Sequence, residues 1–191
     1  DILDGNPRGV FAKRFDFDDN NKRNDAQYAY GGFFWNNDQF NFDVAGTGNR
    51  NVASPVSAST GYLIQNRYAR SEGESQIFID GTEQSTQPFT TSIGDEPSIL
   101  RLGILKNGDP ITDQTNADRF YDGRIGEVIV YRTALNTAQR TIVNTYLAQK
   151  YSLPTTGSEV RSLAYGSGYS TDVGGIGRAD ASEQHEEASS S

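Results

Sequence analysis

Short runs in which apolar and polar side chains alternate make up most of the pattern along this chain. In residues 39–44, Phe40 and Phe42 alternate with polar residues, which is the period of a strand that buries one face. The polar residues 36–38 are a turn signal between this run and an aromatic run at 26–34, so the two runs predict a hairpin. The pattern predicts further strands at residues 9–15, 61–67, 75–79, 82–84 and 99–104, and a loop at 46–59.

Two places in this pattern carry stronger signals. Asp80 and Gly81 separate two of the predicted strands, and Asp-Gly supplies the positive φ angles of a two-residue type I′ turn. Residues 120–131 contain the most apolar run, which ends in Val-Ile-Val-Tyr. The sequence therefore predicts a tight hairpin at 80–81 and a buried strand at 120–131.

A single helix is predicted near residue 140. Asn136 and Gln139 have the spacing of a capping box, and Pro154 ends the element. Apolar residues then recur at i, i+3 and i+4, which predicts a helix with one side facing the core. They are Ile142, Val143, Tyr146 and Leu147.

Composition supports an all-β class. Ten Phe, ten Tyr and twenty Gly occur with few helical patterns, as in antiparallel β proteins. We predict one β-sandwich domain over residues 1–154 and a tail over 155–191, which differs in composition.

The charged and reactive residues exclude several functions. The chain has no Cys, and its one His, His185, lies in the tail, so thiol chemistry and His-rich zinc sites are excluded. A net charge of −8 is a poor match for nucleic acid or anionic lipid. No run approaches the roughly 18 apolar residues of a membrane span, so we expect no membrane insertion.

The end of the predicted domain resembles a known family. Residues 120–131 read F-Y-D-G-R-I-G-E-V-I-V-Y, and 132–151 read R-T-A-L-N-T-A-Q-R-T-I-V-N-T-Y-L-A-Q-K-Y. This resembles the close of laminin-G-like, concanavalin A-like jelly-roll domains of Bacteroidetes-type bacterial secreted or surface proteins. There a strand F-x-G-x-I-A-E-V-I-V-Y precedes a helix L-S-x-x-E-R-x-x-V-x-x-Y-L-x-x-K-Y. Gly126 replaces the usual Ala, and Gln139 the usual Glu.

The resemblance covers about residues 8–153 and carries several expectations. It implies a jelly-roll sandwich, an extracellular or cell-surface location, and neighbouring domains in a larger surface protein. Family members carry several dozen residues before the first strand seen here, which implies that the domain lacks its first strands or receives them from elsewhere. Residues 155–191 are then a linker or the start of a following module.

A calcium site is one candidate for the chemistry of this chain. Asp16, Asp18 and Asn20 are closely spaced oxygen ligands, and Ca²⁺ takes six to eight oxygens. Laminin-G-like domains commonly hold Ca²⁺ at the sandwich rim. The EF-hand Gly and Glu positions are missing, so a solvated loop is the alternative.

A glycan site is the second candidate. Sugars bind to aromatic faces flanked by amides and carboxylates. Trp35 lies at a predicted strand end beside Asn36 and Asn37, and Arg67 and Tyr68 line a neighbouring edge. The alternative is that the rings belong to the core and the arginine to an ordinary surface.

The sequence leaves three functions open. We expect a non-catalytic binding or adhesion module, whose ligand is a glycan or another surface polymer, with structural Ca²⁺. One alternative is a spacer or filament subunit completed by strands from another chain. The other is a polysaccharide-degrading jelly-roll enzyme, although the E-x-D-x-x-E pattern of jelly-roll hydrolases is absent and Glu72 and Glu74 lie in a polar turn.

Overall fold

A computed structural model describes residues 7–14, 28–35, 38–45, 50–93, 100–105 and 120–153. The predicted tail at 155–191 lies outside these residues. Eight strands and one helix occur in the described part. They are β1 (Arg8–Arg14), β2 (Tyr28–Trp35), β3 (Gln39–Val44), β4 (Arg50–Pro55), β5 (Ile64–Ala69), β6 (Glu74–Ile79), β7 (Thr82–Pro88), β8 (Leu100–Leu102) and α1 (Thr137–Tyr151).

The strands form two antiparallel sheets of unequal width. The larger sheet has the order β4-β3-β2-β1-β8, and the smaller has the order β5-β6-β7. The predicted β-rich, sandwich-like class with one C-terminal helix is confirmed, while the jelly-roll connection of the strands stays a prediction. Strands β6 and β7 pack against β4, which is the edge of the larger sheet opposite to β8.

The core lies between the sheets on the β4 side. Phe40, Phe42 and Val44 alternate along β3 and point to one face, as their spacing predicts. They pack with Ile77 and Ile79 of β6, and the Phe34 ring meets the Phe40 ring edge-on with centroids 5.2 Å apart. These rings serve as core rather than as an exposed aromatic surface.

The hairpin between β6 and β7 has the predicted turn. Asp80 and Gly81 have φ angles of 52° and 81°, which is the left-handed pair that a type I′ turn requires. The turn is held to the chain before β5, because Asp80 N–H donates to the Leu63 carbonyl and Leu63 N–H donates to Asp80 Oδ1, at 2.8 and 2.9 Å.

Asp80 also makes a pH-dependent contribution to stability. Burial raises the pKa of its carboxyl above the ordinary value near 3.8, and the Leu63 N–H opposes this only in part. For an acid whose pKa is raised in the folded state, stability is fully present below the unfolded pKa and is lost as pH rises through the folded pKa. Asp80→Asn keeps an oxygen acceptor and tolerates the left-handed turn.

We therefore expect Asp80→Asn to melt at a higher temperature than the wild type at pH 7, and the difference to vanish below about pH 3.8. Thermal unfolding followed by circular dichroism at both pH values measures this. Gly81→Ala is the control, with a cost of about 1 kcal/mol at either pH because alanine resists the positive φ. A variant that melts below the wild type at pH 7 would contradict the assignment.

Strand β4 corrects the prediction of a loop at 46–59. The sequence R-N-V-A-S-P lacks an apolar alternation, yet residues 50–55 form the edge strand beside β3. Asn51 is buried and its amide donates to Ser75 Oγ at 3.0 Å. A polar residue thus takes an inward position through a hydrogen bond to β6, which the apolar pattern does not reveal.

The prediction of a buried strand at 120–131 is wrong. Only Phe120 forms bridges, one to Gly9 and one to Ile104, and residues 121–131 belong to no strand. The run from Ile125 to Tyr131 is exposed, with Val130 at 64 %. Its composition suits a strand, but no described strand lies beside it to complete a ladder.

The helix begins as predicted, and the side predicted to face the core is only partly buried. Gln139 N–H donates to the Asn136 side chain at 2.9 Å, and the Gln139 side chain accepts from Asn136 N–H at 3.0 Å, so the capping box is confirmed. Of the predicted core side, Val143 and Leu147 are half-buried, whereas Ile142 and Tyr146 are exposed. The residues that α1 buries are Ala138, Arg140, Thr141, Asn144, Thr145 and Ala148.

Candidate functional site

The predicted glycan-binding residues lie on different sheets. Trp35 ends β2 of the larger sheet, whereas Arg67 and Tyr68 lie on β5 of the smaller sheet. Asn36 and Asn37 lie outside the described residues. The glycan site predicted over these five residues therefore stays a prediction.

Trp35 is half-buried at the end of β2. Its ring packs against the buried cluster of Ala12, Phe33 and Leu105. The guanidinium carbon of Arg50 lies 4.9 Å from the ring centroid, and Arg50 is fixed there by Asp43, with nitrogen–oxygen distances of 2.6 and 2.9 Å. One contact of the indole is thus a cation–π pair.

Arg67 is the centre of a polar cluster on the outer face of the smaller sheet. Its guanidinium donates to Glu72, to Glu74 Oε1 at 2.8 Å and to Gln76 Oε1 at 2.9 Å. Its Nε donates to the Leu135 carbonyl at 3.0 Å, which holds the chain before α1 against β5. Only 9 % of the Arg67 side chain is exposed, so its contacts are structural.

The charges in this cluster stabilise one another. Burial opposes the charge on Arg67, yet Glu72 and Glu74 raise its pKa above the usual value. The hydrogen bond from Arg67 lowers the pKa of Glu72. A carboxyl that is held ionised in this way is a poor general acid.

We expect Arg67→Met to lower the free energy of unfolding by about 1–3 kcal/mol at pH 7, because it removes four hydrogen bonds, three of them to carboxylate or amide side-chain oxygens. Since the pKa of Glu72 is lowered, this stability is present above its unfolded value and is lost as pH falls through the folded one. The difference in the free energy of unfolding between Arg67→Met and the wild type should therefore be smaller in acid. Urea unfolding at pH 7 and pH 3 measures this difference.

Arg70→Met is the matched control for that experiment. Arg70 is exposed and makes one hydrogen bond, from Nε to the Thr90 carbonyl at 3.2 Å. Its loss should change the free energy of unfolding by no more than about 0.5 kcal/mol. Equal costs for the two variants would argue against a structural role for Arg67.

Tyr68 lies next to Arg67 on the other face of β5. Its ring is 5.3 Å from the Phe89 ring and its hydroxyl donates to the Thr91 carbonyl. Burial raises the pKa of this phenol. Tyr68 therefore holds the chain after β7 in place.

The predicted calcium ligands Asp16, Asp18 and Asn20 lie outside the described residues, so this site also stays a prediction. Within the residues that the structure does describe, no group of three or more His, Asp or Glu side chains is placed to hold a metal ion.

An uncovered apolar surface occupies the side of the molecule opposite to β4. In the ladder of β1 and β8, Leu102 lies directly opposite Phe11, so both side chains share the face that Phe11 presents to the core. Leu102 is nevertheless 52 % exposed and Leu100 is 44 % exposed. The smaller sheet thus leaves the inner face of the larger sheet open at the β8 edge.

Residues 124–131 form a second exposed, largely apolar run. Tyr121 stacks on Phe34 with centroids 5.9 Å apart, and the chain then leaves the core and runs beside α1 to Leu135. Tyr151 Oη donates to the Gly126 carbonyl at 3.0 Å. Residues 126–136 therefore run alongside most of the 15-residue helix, which is about 22 Å long. We call Leu100, Leu102, Phe120 and residues 124–131 the open side.

The second part of the open side, residues 124–131, lacks backbone partners within the described chain. Within the described part of the chain, residues 122–135 make no backbone–backbone hydrogen bond. Their N–H and C=O groups face water or the side chains of Arg67 and Tyr151. An apolar run whose backbone N–H and C=O groups are unpaired can form a strand, but it needs a neighbouring strand to pair with.

The helix adds an aromatic and charged group beside this run. Lys150 Nζ donates to Glu127 Oε2 and to Tyr146 Oη, both at 2.9 Å, and lies 5.3 and 5.4 Å from the ring centroids of Tyr146 and Tyr151. The hydrogen bonds that Lys150 donates to Tyr146 and to Glu127 raise the pKa of Lys150, and the bond to Glu127 lowers the pKa of that carboxyl.

Sequence reasoning missed this group and the Arg67 cluster. The hairpin register contained a signal for the latter, because pairing β5 with β6 places Arg67 opposite Gln76. No local sequence signal indicates that the open side is exposed, because the same residues would be buried if a strand lay beside them.

No family model, curated protein or solved structure shows a significant match to this chain. In the described residues, no helix is both long and apolar enough to cross a membrane.

Proposed function

We propose that this chain is a non-catalytic binding or adhesion module of an extracellular or cell-surface bacterial protein, and that a β-strand from another polypeptide completes its sandwich. The strand connection proposed for it is the laminin-G-like jelly roll. The observation that carries the proposal is the open side, where apolar side chains and free backbone groups occur together. Only an added strand both covers the apolar side chains and forms hydrogen bonds with the free backbone groups.

The burial pattern of α1 supports the same proposal. Asn144 is fully buried, yet neither its amide nitrogen nor its carbonyl oxygen has a hydrogen-bond partner among the described residues. Ile142 and Tyr146 meanwhile face water beside the open side. A helix that buries unpaired polar groups and exposes apolar ones is missing an apolar neighbour on its exposed side.

The state of the carboxylates favours binding over catalysis. The polysaccharide-degrading alternative would use Glu72, Glu74 or Glu127 as acid or nucleophile. Arg67 binds the first two, and Lys150 binds Glu127. Neither Glu72 nor Glu127 has the raised pKa that a general acid needs.

Light scattering over a concentration series tests the strand-completion proposal. We expect the isolated chain to associate as concentration rises, because unpaired apolar edges pair with one another. The double variant Val128→Lys with Val130→Lys should stay monomeric at an unchanged melting temperature. Val52→Lys, at an exposed valine on β4, should associate like the wild type. A wild-type chain that stays monomeric, melts cooperatively at every concentration and binds neither of the strand peptides described below would overturn the proposal.

Glycan binding is the second candidate function, and the Tyr146–Lys150–Tyr151–Glu127 group favours it. Two exposed phenol rings beside a carboxylate and an ammonium offer stacking faces and hydrogen bonds to a sugar. A glycan array probed with and without chelator tests it and the proposed Ca²⁺ together. Binding that is lost in Tyr146→Ala supports this candidate, and an absence of hits in both conditions rejects it.

A further inference from the structure

The charges around the open side indicate what kind of strand it accepts. Arg124 and Arg132 stand at the two ends of the apolar run 125–131, and both are exposed. Neither makes an ion pair with any described residue. The one acidic residue in the run, Glu127, is already neutralised by Lys150 at 2.9 Å. The run is therefore apolar in the middle and positive at each end.

A second copy of the chain is a poor match for this surface. An antiparallel pair that overlaps residues 124–132 fully places Arg124 of one copy opposite Arg132 of the other. A parallel pair in register places each arginine opposite itself. Like charges directly opposite one another destabilise a ladder, so self-pairing is the weak option.

We infer that the open side binds an extended segment of a different polypeptide, with apolar residues at alternate positions and a carboxylate at each end. This inference rests on the proposed function and deepens it by naming the partner's chemistry. Arg124 and Arg132 are eight residues apart, so the two carboxylates are also eight residues apart, about 27 Å in a strand. The arginines set the register, and the apolar residues cover the run between them.

Two synthetic peptides of nine residues test the inference. Both alternate Val and Thr in the middle; one has Asp at each end and the other has Lys. Fluorescence anisotropy measures their binding to the full chain, and light scattering follows the association of the chain in their presence. We expect the Asp peptide to bind roughly tenfold more tightly than the Lys peptide in low salt, with a smaller difference at 1 M salt. It should also suppress self-association.

The double variant Arg124→Glu with Arg132→Glu should reverse the preference and bind the Lys peptide more tightly. Arg70→Glu, at an exposed arginine away from the open side, is the matched control and should keep the preference for Asp. Equal binding of both peptides by the wild type overturns the charge inference but leaves strand completion standing. Binding of neither peptide by a chain that stays monomeric overturns both. Self-association that the Asp peptide does not suppress identifies a second copy as the occupant and overturns this inference alone.

Discussion

Phe40→Ala is expected to lower the free energy of unfolding by about 3–5 kcal/mol, the range for truncating a buried phenylalanine. The Phe40 side chain is 1 % exposed and packs edge-on against Phe34 at the centre of the core. Urea unfolding followed by tryptophan fluorescence measures the loss.

Val130→Ala is the matched truncation on the open side. Val130 is 64 % exposed, so Val130→Ala should lower the free energy of unfolding of the isolated chain by less than about 0.5 kcal/mol. The contrast between the two variants separates the covered core from the open side. A cost above about 1 kcal/mol for Val130→Ala would mean that the run is buried in solution.

Gly9→Ala is expected to destabilise the protein by about 3 kcal/mol, at the upper end for added volume in a packed site. A Cβ atom at Gly9 would lie closer than 3.0 Å to the backbone nitrogen of Leu105 and to the carbonyl carbon of Ile104. Those are backbone atoms, so no side-chain rotation relieves the contact. Strand β1 would have to separate from the chain that follows β8.

Gly126→Ala provides the comparison for this substitution. A Cβ there would meet only the Tyr151 ring, at 3.1 Å, and that ring is exposed and free to shift. We expect Gly126→Ala to change the free energy of unfolding by no more than about 0.5 kcal/mol. If both alanines cost the same in thermal unfolding, the close approach of β1 to Leu105 does not exist in solution.

Local signals in the sequence predicted the hairpins and the helix cap correctly. The Asp80-Gly81 turn and the Asn136–Gln139 capping box depend on residues a few positions apart, so no distant partner alters them. Strand β3 likewise follows from its alternation alone, and its predicted bounds, 39–44, are those of the structure.

The errors occurred where the outcome depends on distant partners. Strand β4 is polar, and it is a strand because β3 lies beside it. Residues 125–131 are mostly apolar, and they are exposed because no described strand lies beside them. An apolar run indicates that burial would be favourable, but it does not determine whether another part of the protein covers it.

In the candidate site, too, the predictions depend on distant partners. Arg67 was expected at a ligand edge, whereas its position opposite Gln76 and near Glu74 makes it a structural residue. The open side depends entirely on which strands are neighbours. Sequence alone therefore identified the residues that matter there and assigned them the wrong surroundings.

Hydrogen exchange at the backbone amides of residues 125–131 tests the central claim most directly. In the dilute isolated chain these amides should exchange at the rate of an unstructured peptide, while those of β3 and β6 are protected by their ladders. On addition of the Asp-ended peptide, protection should appear at 125–131. Protection of these amides equal to that of β3 in the isolated chain would contradict the account, because the run would already have its partner strand.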